Sequence, residues 1–137
     1  MNTFSTSPAI AAIIARLVLA DSPFDNGHEA FDGGPTTTPS KPYFCVWDQT
    51  ATTRRGKYSG DPQRLYLPFQ VSCVARTRAG LRDAVQLARS ALLMWPPVSG
   101  ATPIVEDGSN PILSEGTGND IRLTAPLTLH CYLPKET

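Results

Sequence analysis

Two stretches of this 137-residue chain alternate apolar and polar side chains with a period of two, which suits a half-buried strand and no helix. In the first, Leu65, Leu67, Phe69, Val71, Cys73 and Ala75 face one way, and Tyr66, Pro68, Gln70, Ser72 and Val74 face the other. In the second, Ile121, Leu123, Ala125, Leu127, Leu129, Cys131 and Leu133 alternate with Arg122, Thr124, Pro126, Thr128, His130 and Tyr132. Strands of this kind bury one face and leave the other mixed, as in an antiparallel sheet. Pro68 has no N–H to donate to a ladder, which predicts an edge, a bulge or a bend there.

The remaining segments supply what covers the buried face. Ser7 and Pro8 offer an N-cap and a first helical position for an apolar run over Ala9 to Ala20, ending near Asp21-Ser22-Pro23. Arg16 is its single charge, so the helix needs cover on more than one side, from the domain core or from a neighbouring subunit. Thr77 is placed to cap a second helix over Arg78 to Trp95, with Leu81, Ala84, Val85, Ala88, Ala91, Leu92 and Trp95 on its apolar stripe. Arg82, Gln86 and Arg89 lie opposite, and Pro96-Pro97 stops the helix. Tyr43 to Asp48 reads as a strand, a shorter one fits around His28 to Phe31, and Thr50 to Pro62 is a polar hairpin connection. Between residues 98 and 118, Thr102 to Glu106 and Ile112 to Glu115 read as short strands joined by an Asp107-Gly108 turn, a hairpin arm. This order predicts one α+β domain over residues 1–137: a mainly antiparallel sheet with two helices packed on one face, plus hairpin and loop extensions.

Composition removes several classes of function. Twelve Lys and Arg balance twelve Asp and Glu, so no global field draws the chain to nucleic acid or to an anionic membrane. The N-terminus lacks a basic region and Arg16 interrupts the apolar run, which predicts neither a signal peptide nor a membrane span. Cys45, Cys73 and Cys131 are odd in number, far apart and set in apolar strands, which predicts reduced thiols in a cytoplasmic product. His28 and His130 belong to no nucleophile elbow, metal-binding helix or Cys/His ligand cluster. His130 and Cys131 point to opposite faces of their strand, which argues against a catalytic pair. No catalytic residue, metal site or cofactor is therefore assigned, and the chain reads as a structural subunit rather than an enzyme.

Charge position says more than charge total. Residues 54–89 hold eight basic and two acidic side chains, whereas residues 96–120 hold four acidic and no basic ones. Residues 21–48 hold five acidic side chains against Lys41. Either these segments neutralise one another within a subunit, or they form patches that suit head-to-tail self-association into a ring. The second alternative makes Arg76, Arg82 and Arg89, with Glu106, Asp107 and Glu115, the candidate subunit-interface residues. Arg54, Arg55 and Lys57 form a separate basic cluster in the hairpin connection.

The helix Ala9 to Ala20 and the strand Pro42-Tyr43-Phe44-Cys45-Val46 are followed by Leu67 to Arg76, which leads into Arg78-Ala79-Gly80-Leu81-Arg82-Asp83-Ala84. With the closing strand Arg122 to Leu133, this order resembles the tail terminator, or tail completion, proteins of long-tailed bacteriophages. The resemblance implies a structural virion protein at the head-tail junction, made in the host cytoplasm. It implies a homo-oligomeric ring, hexameric in that family, that caps the tail tube and joins the tail to the head-side connector. The partners it implies are further copies of the chain, the tail tube protein, the connector protein and DNA passing through the lumen without sequence-specific contact. In that setting Arg54, Arg55 and Lys57 are candidates for lumen or partner contact. A neighbouring neck, connector or minor tail protein would share these elements. A small-ligand-binding domain, with His130 and Tyr132 as its site, is the alternative from another class.

Overall fold

The computed structural model describes residues 6–21, 29–34, 42–55, 62–108, 110–116 and 121–134. The elements run α1 (Ser7–Asp21), β1 (Glu29–Asp32), β2 (Tyr43–Asp48), β3 (Thr52–Arg55), β4 (Pro62–Ala75), α2 (Arg78–Leu92), β5 (Val105–Glu106), β6 (Leu113–Glu115) and β7 (Arg122–Pro134). The two alternating stretches, β4 and β7, are the longest strands. They pair antiparallel from Arg64 opposite Pro134 to Ala75 opposite Leu123. The sheet is α+β in type, with order β1-β2-β4-β7-β5, β3 pairing with β4 and β6 with β7. Among the named strands described, β1 departs from antiparallel pairing: it runs parallel to β2, with Glu29 opposite Tyr43.

Both central strands are flanked by broken neighbours. Strands β2 and β3 run in the same direction along β4, with Asp48 opposite Phe69 and Thr52 opposite Tyr66, so three residues of one chain face two of the other. That is a bulge, and Pro68 lies opposite it. The Pro68 carbonyl accepts from the Gln49 N–H at 3.0 Å. A strand residue's nitrogen and carbonyl point to the same side, so the donor that Pro68 lacks falls where the ladder is already interrupted. Pro68 is thus accommodated in a central strand by a break in its neighbour, and the edge position is not needed.

The same device recurs across the sheet. Strands β5 and β6 do not pair with each other, as a hairpin arm would require; both pair with β7, in line, at His130–Leu129 and at Thr124–Arg122. In the gap, Asn110 Nδ2 donates to the Pro126 carbonyl at 3.2 Å and to Thr128 Oγ1 at 3.1 Å. The Asp107 N–H donates to the Thr128 carbonyl at 2.7 Å. These bonds hold Asp107 and Asn110 against β7, which is why the Asp107-Gly108 step does not reverse the chain into a hairpin.

The helices cover one face of the sheet. Leu67, Phe69, Val71, Cys73, Leu129 and Cys131 are fully buried beneath Ile13 and Leu17 of α1 and Leu81, Ala84, Ala88 and Leu92 of α2. Burying a Leu or Phe side chain of this kind contributes about 1.5–3 kcal/mol. Thr77 caps α2, its hydroxyl accepting from the Gly80 N–H at 3.0 Å. The helix ends at Leu92, earlier than its apolar stripe suggests. Met94 adopts φ 64°, and the Met94 N–H bonds to the Ile104 carbonyl, which turns the chain into an extended stretch. Trp95 therefore sits beyond the helix and packs against the core from there. Helix α1 buries Ala9, Ile10, Ile13 and Leu17, while Ala11, Ala15 and Val18 are exposed. The subunit covers one side of α1 and leaves the other open.

Candidate functional site

Three surfaces stand out among the described residues, and the first two hold residues that the sequence marks as functional. The first is the sheet face away from the helices. Its β1–β2 end carries a small buried cluster of Tyr43, Cys45 and Val74 with Phe31 against it. Gly33 closes the turn after β1 at φ +80°, a conformation that favours glycine, and its N–H donates to the Val46 carbonyl at 2.8 Å. Further along, Tyr66, His130 and Tyr132 stack into an aromatic cluster with centroids 5.3 to 5.9 Å apart. His130 Nδ1 lies 2.6 Å from Asp107 Oδ2, a bond that joins the 107–112 segment to β7.

This face has no assembled nucleophile. No Ser, Thr or Cys among the described residues is hydrogen-bonded to His130, and Cys131 faces the core on the other side of the strand. Burial pushes the Cys45 and Cys131 thiols up to about 11 and Cys73 to about 12. All three are free and buried, and at neutral pH they are protonated and poor nucleophiles. No group of three or more His, Cys, Asp or Glu among the described residues is arranged to hold a metal ion. No described helix is long and apolar enough to cross a membrane.

The second surface is a cleft of about 510 Å³ between α2 and the 107–112 segment. Leu81, Val85, Ala125 and Leu127 form its apolar floor, and Arg82, Gln86 and Ile112 stand on its rim. Arg89 closes one side through a two-pronged contact with Glu106, Nε to Oε1 at 2.8 Å and Nη2 to Oε2 at 3.1 Å. That hydrogen bond raises the Arg89 pKa further above its ordinary value. Ile112 lines the cleft and is exposed, as are Val105 and Leu113, which their register with His130 and Thr124 places on the sheet face away from the helices.

The third surface is a groove of about 400 Å³ at the opposite edge, between the start of α1 and the ends of β1 and β2. Ile10, Ala11, Ile14 and Ala15 line it with Asp32 and Asp48. Asp32 lies two residues after Ala30, and Asp48 two after Val46, so both carboxylates leave the sheet on the helix side.

The six candidate interface residues separate on this map. Arg89 and Glu106 are paired within the chain, and Asp107 is bonded to His130. For Arg89 and Glu106, neutralisation inside the subunit is the arrangement found, and Asp107 has a hydrogen-bond partner of its own. Arg76 and Arg82 are exposed with no ion-pair partner among the described residues, and Glu115 is exposed on β6, opposite Arg122. Arg54 and Arg55 lie on β3, where only the backbone is described, and Lys57 lies outside the described residues. The acidic groove of Asp32 and Asp48 was not singled out in the sequence, because only the parallel pairing of β1 with β2 brings the two together.

No family model and no curated protein matches the chain. Among solved structures, a chain from the virion of a native gene transfer agent particle is similar in fold, with a TM-score of 0.63 at 14% identity. The match covers 98% of this chain and 100% of that one. A second solved structure has a TM-score of 0.50 at 23% identity, over 98% of each chain. At these identities the likeness is one of fold, and it spans the whole chain.

Proposed function

We propose that this chain is a structural protein of a phage-like virion, in the role of a tail terminator: a ring of identical subunits that caps the tail tube and joins it to the head-side connector. The observation that carries this reading is the end-to-end fold likeness to a virion chain of a gene transfer agent particle. The sequence resemblance points to the same class. The chemistry agrees, since the described surfaces offer apolar grooves, unpaired charges and an aromatic face, the make-up of contact surfaces. Such a protein acts by stoichiometric binding rather than turnover, with further copies of itself, the tube protein and the connector as partners. Arg54, Arg55 and Lys57 are the proposed contacts to DNA in the lumen or to a partner.

Electron microscopy of intact particles tests the assignment. A ring of this protein at the head-tail junction is the expected result, and deletion of the chain is expected to yield separate heads and tails. A location within the tube or at the tip would replace the terminator role with that of a minor tail protein. The alternative ligand-binding role rests on the cluster of Tyr66, His130, Tyr132 and Asp107. A strictly monomeric protein that gains thermal stability from a small ligand would favour it.

A further inference from the structure

The two grooves lie at opposite edges of the same layer. Helix α1 packs on β1 and β2 and leaves its groove at the β1 end of the sheet order; α2 packs on β4 and β7 and leaves its cleft at the β5–β6 end. Both are apolar, and their unpaired charges are opposite in sign. Arg82 stands on the rim of the α2 cleft, exposed and without an ion-pair partner among the described residues. Asp32 and Asp48 line the α1 groove, also exposed and without a cation beside them among the described residues. Ile112, at the cleft, is 45% exposed, and on α1 Val18 is 45% exposed.

From this arrangement we propose that the occupant of the α2 cleft is a second copy of this chain, which presents its α1 edge. Asp32 and Asp48 of one copy meet Arg82 of the next, and the open side of α1 covers Ile112 and the cleft floor. The contact joins two different patches, so it is head-to-tail, and a joined pair keeps one free patch of each kind with which to extend or close the assembly. It also supplies the second cover that the nearly all-apolar α1 lacks within its own subunit. Opposite charges at the rim fix the partner and the register, while the apolar surface holds the contact. This inference rests on the ring reading and names its interface. It moves the acidic side from Glu106 and Asp107, which are satisfied internally, to Asp32 and Asp48.

Charge reversal tests it, with sedimentation velocity of the full chain over a rising concentration series as the readout. Wild type is expected to self-associate. Arg82→Glu alone, and Asp32→Arg with Asp48→Arg, are each expected to weaken association by roughly tenfold or more through like-charge contact. The triple variant is expected to recover association, and so is an equimolar mixture of the two separate variants, in which unlike edges alternate. Circular dichroism melts verify that each variant folds; should a reversal unfold, Arg82→Gln and Asp32→Asn with Asp48→Asn replace it, with a smaller expected weakening. Association unchanged by the reversals overturns this interface and leaves the ring reading standing. Weakening that neither the triple variant nor the mixture repairs overturns the pairing of these residues. A wild-type chain that stays monomeric throughout overturns the contact, and the ring is then judged separately, by particle imaging.

Discussion

Arg16 of α1 donates from Nε to the Ala91 carbonyl in the last turn of α2 at 3.0 Å, and its guanidinium lies 5.0 Å from the centre of the Trp95 ring. The one basic residue of α1 therefore serves the other helix. It satisfies a carbonyl that the helix end leaves without a partner and places positive charge where the helix dipole favours it. It also pins Trp95 just after the chain has left the helix.

Replacing Arg16 by Ala removes the hydrogen bond and the ring contact together, with an expected loss of about 1–2 kcal/mol in urea unfolding. Arg16→Lys keeps the charge but not the planar donor, so an intermediate loss is expected. An alanine variant as stable as wild type would mean that the contact contributes nothing net.

Asn110 carries the tie between the 107–112 segment and β7. Asn110→Ala leaves the Pro126 carbonyl and the Thr128 hydroxyl to water, at a site exposed enough for water to replace much of the bond. The expected cost is about 0.5–1 kcal/mol, with faster amide exchange confined to the loop and the flanking β5 and β6. Exchange that rises throughout the sheet would show the loop to be part of the global unfolding unit.

Arg89 and Glu106 form an ion pair in which Arg89 is 47% exposed, so its expected coupling energy in a double-mutant cycle is only about 0.2–1 kcal/mol, reduced by salt. Because the pair is internal, Arg89→Ala is expected to leave self-association nearly unchanged, in contrast to Arg82→Glu. Equal effects at both positions, measured by sedimentation, would return Arg89 to the interface.

The three buried thiols make stability fall in alkali. Their folded pKa values, about 11 for Cys45 and Cys131 and about 12 for Cys73, lie above the ordinary value of 9.0. Above pH 9 the unfolded chain releases thiol protons that the folded chain still holds, so the contribution is complete below pH 9 and is lost as pH rises towards 12. Denaturant unfolding between pH 8 and pH 11 should show this decline, and substitution of Cys73 by Ser or Ala should flatten it. Native protein at pH 8 is expected to resist iodoacetamide until denaturant is added.

Much of this architecture was legible in the residues. The alternation of β4 and β7 fixed their buried faces, because a period of two admits one buried side, and Thr77 with the stripe from Leu81 to Leu92 marked α2. Local pattern also placed α1. Pro68 pointed to an edge, a bulge or a bend, and a bulge stands opposite it; that Pro126 occupies a central strand because the neighbouring strands are broken opposite it is something no local pattern encodes. The Asp107-Gly108 step looked like a hairpin turn, and it is the hydrogen bonds from residues 107 and 110 to β7 that decide otherwise.

The sequence by itself determined which face of β4 and β7 the helices cover and that opposite charges sit in separate segments, since periodicity and composition are properties of the chain. Only the tertiary structure decided which charges meet. It set Arg89 on Glu106 and Asp107 on His130, and it gathered Asp32 with Asp48 at one edge and Arg82 at the other. Ion pairing depends on distance across the sheet, and strand order sets that distance in a way that separation along the chain does not.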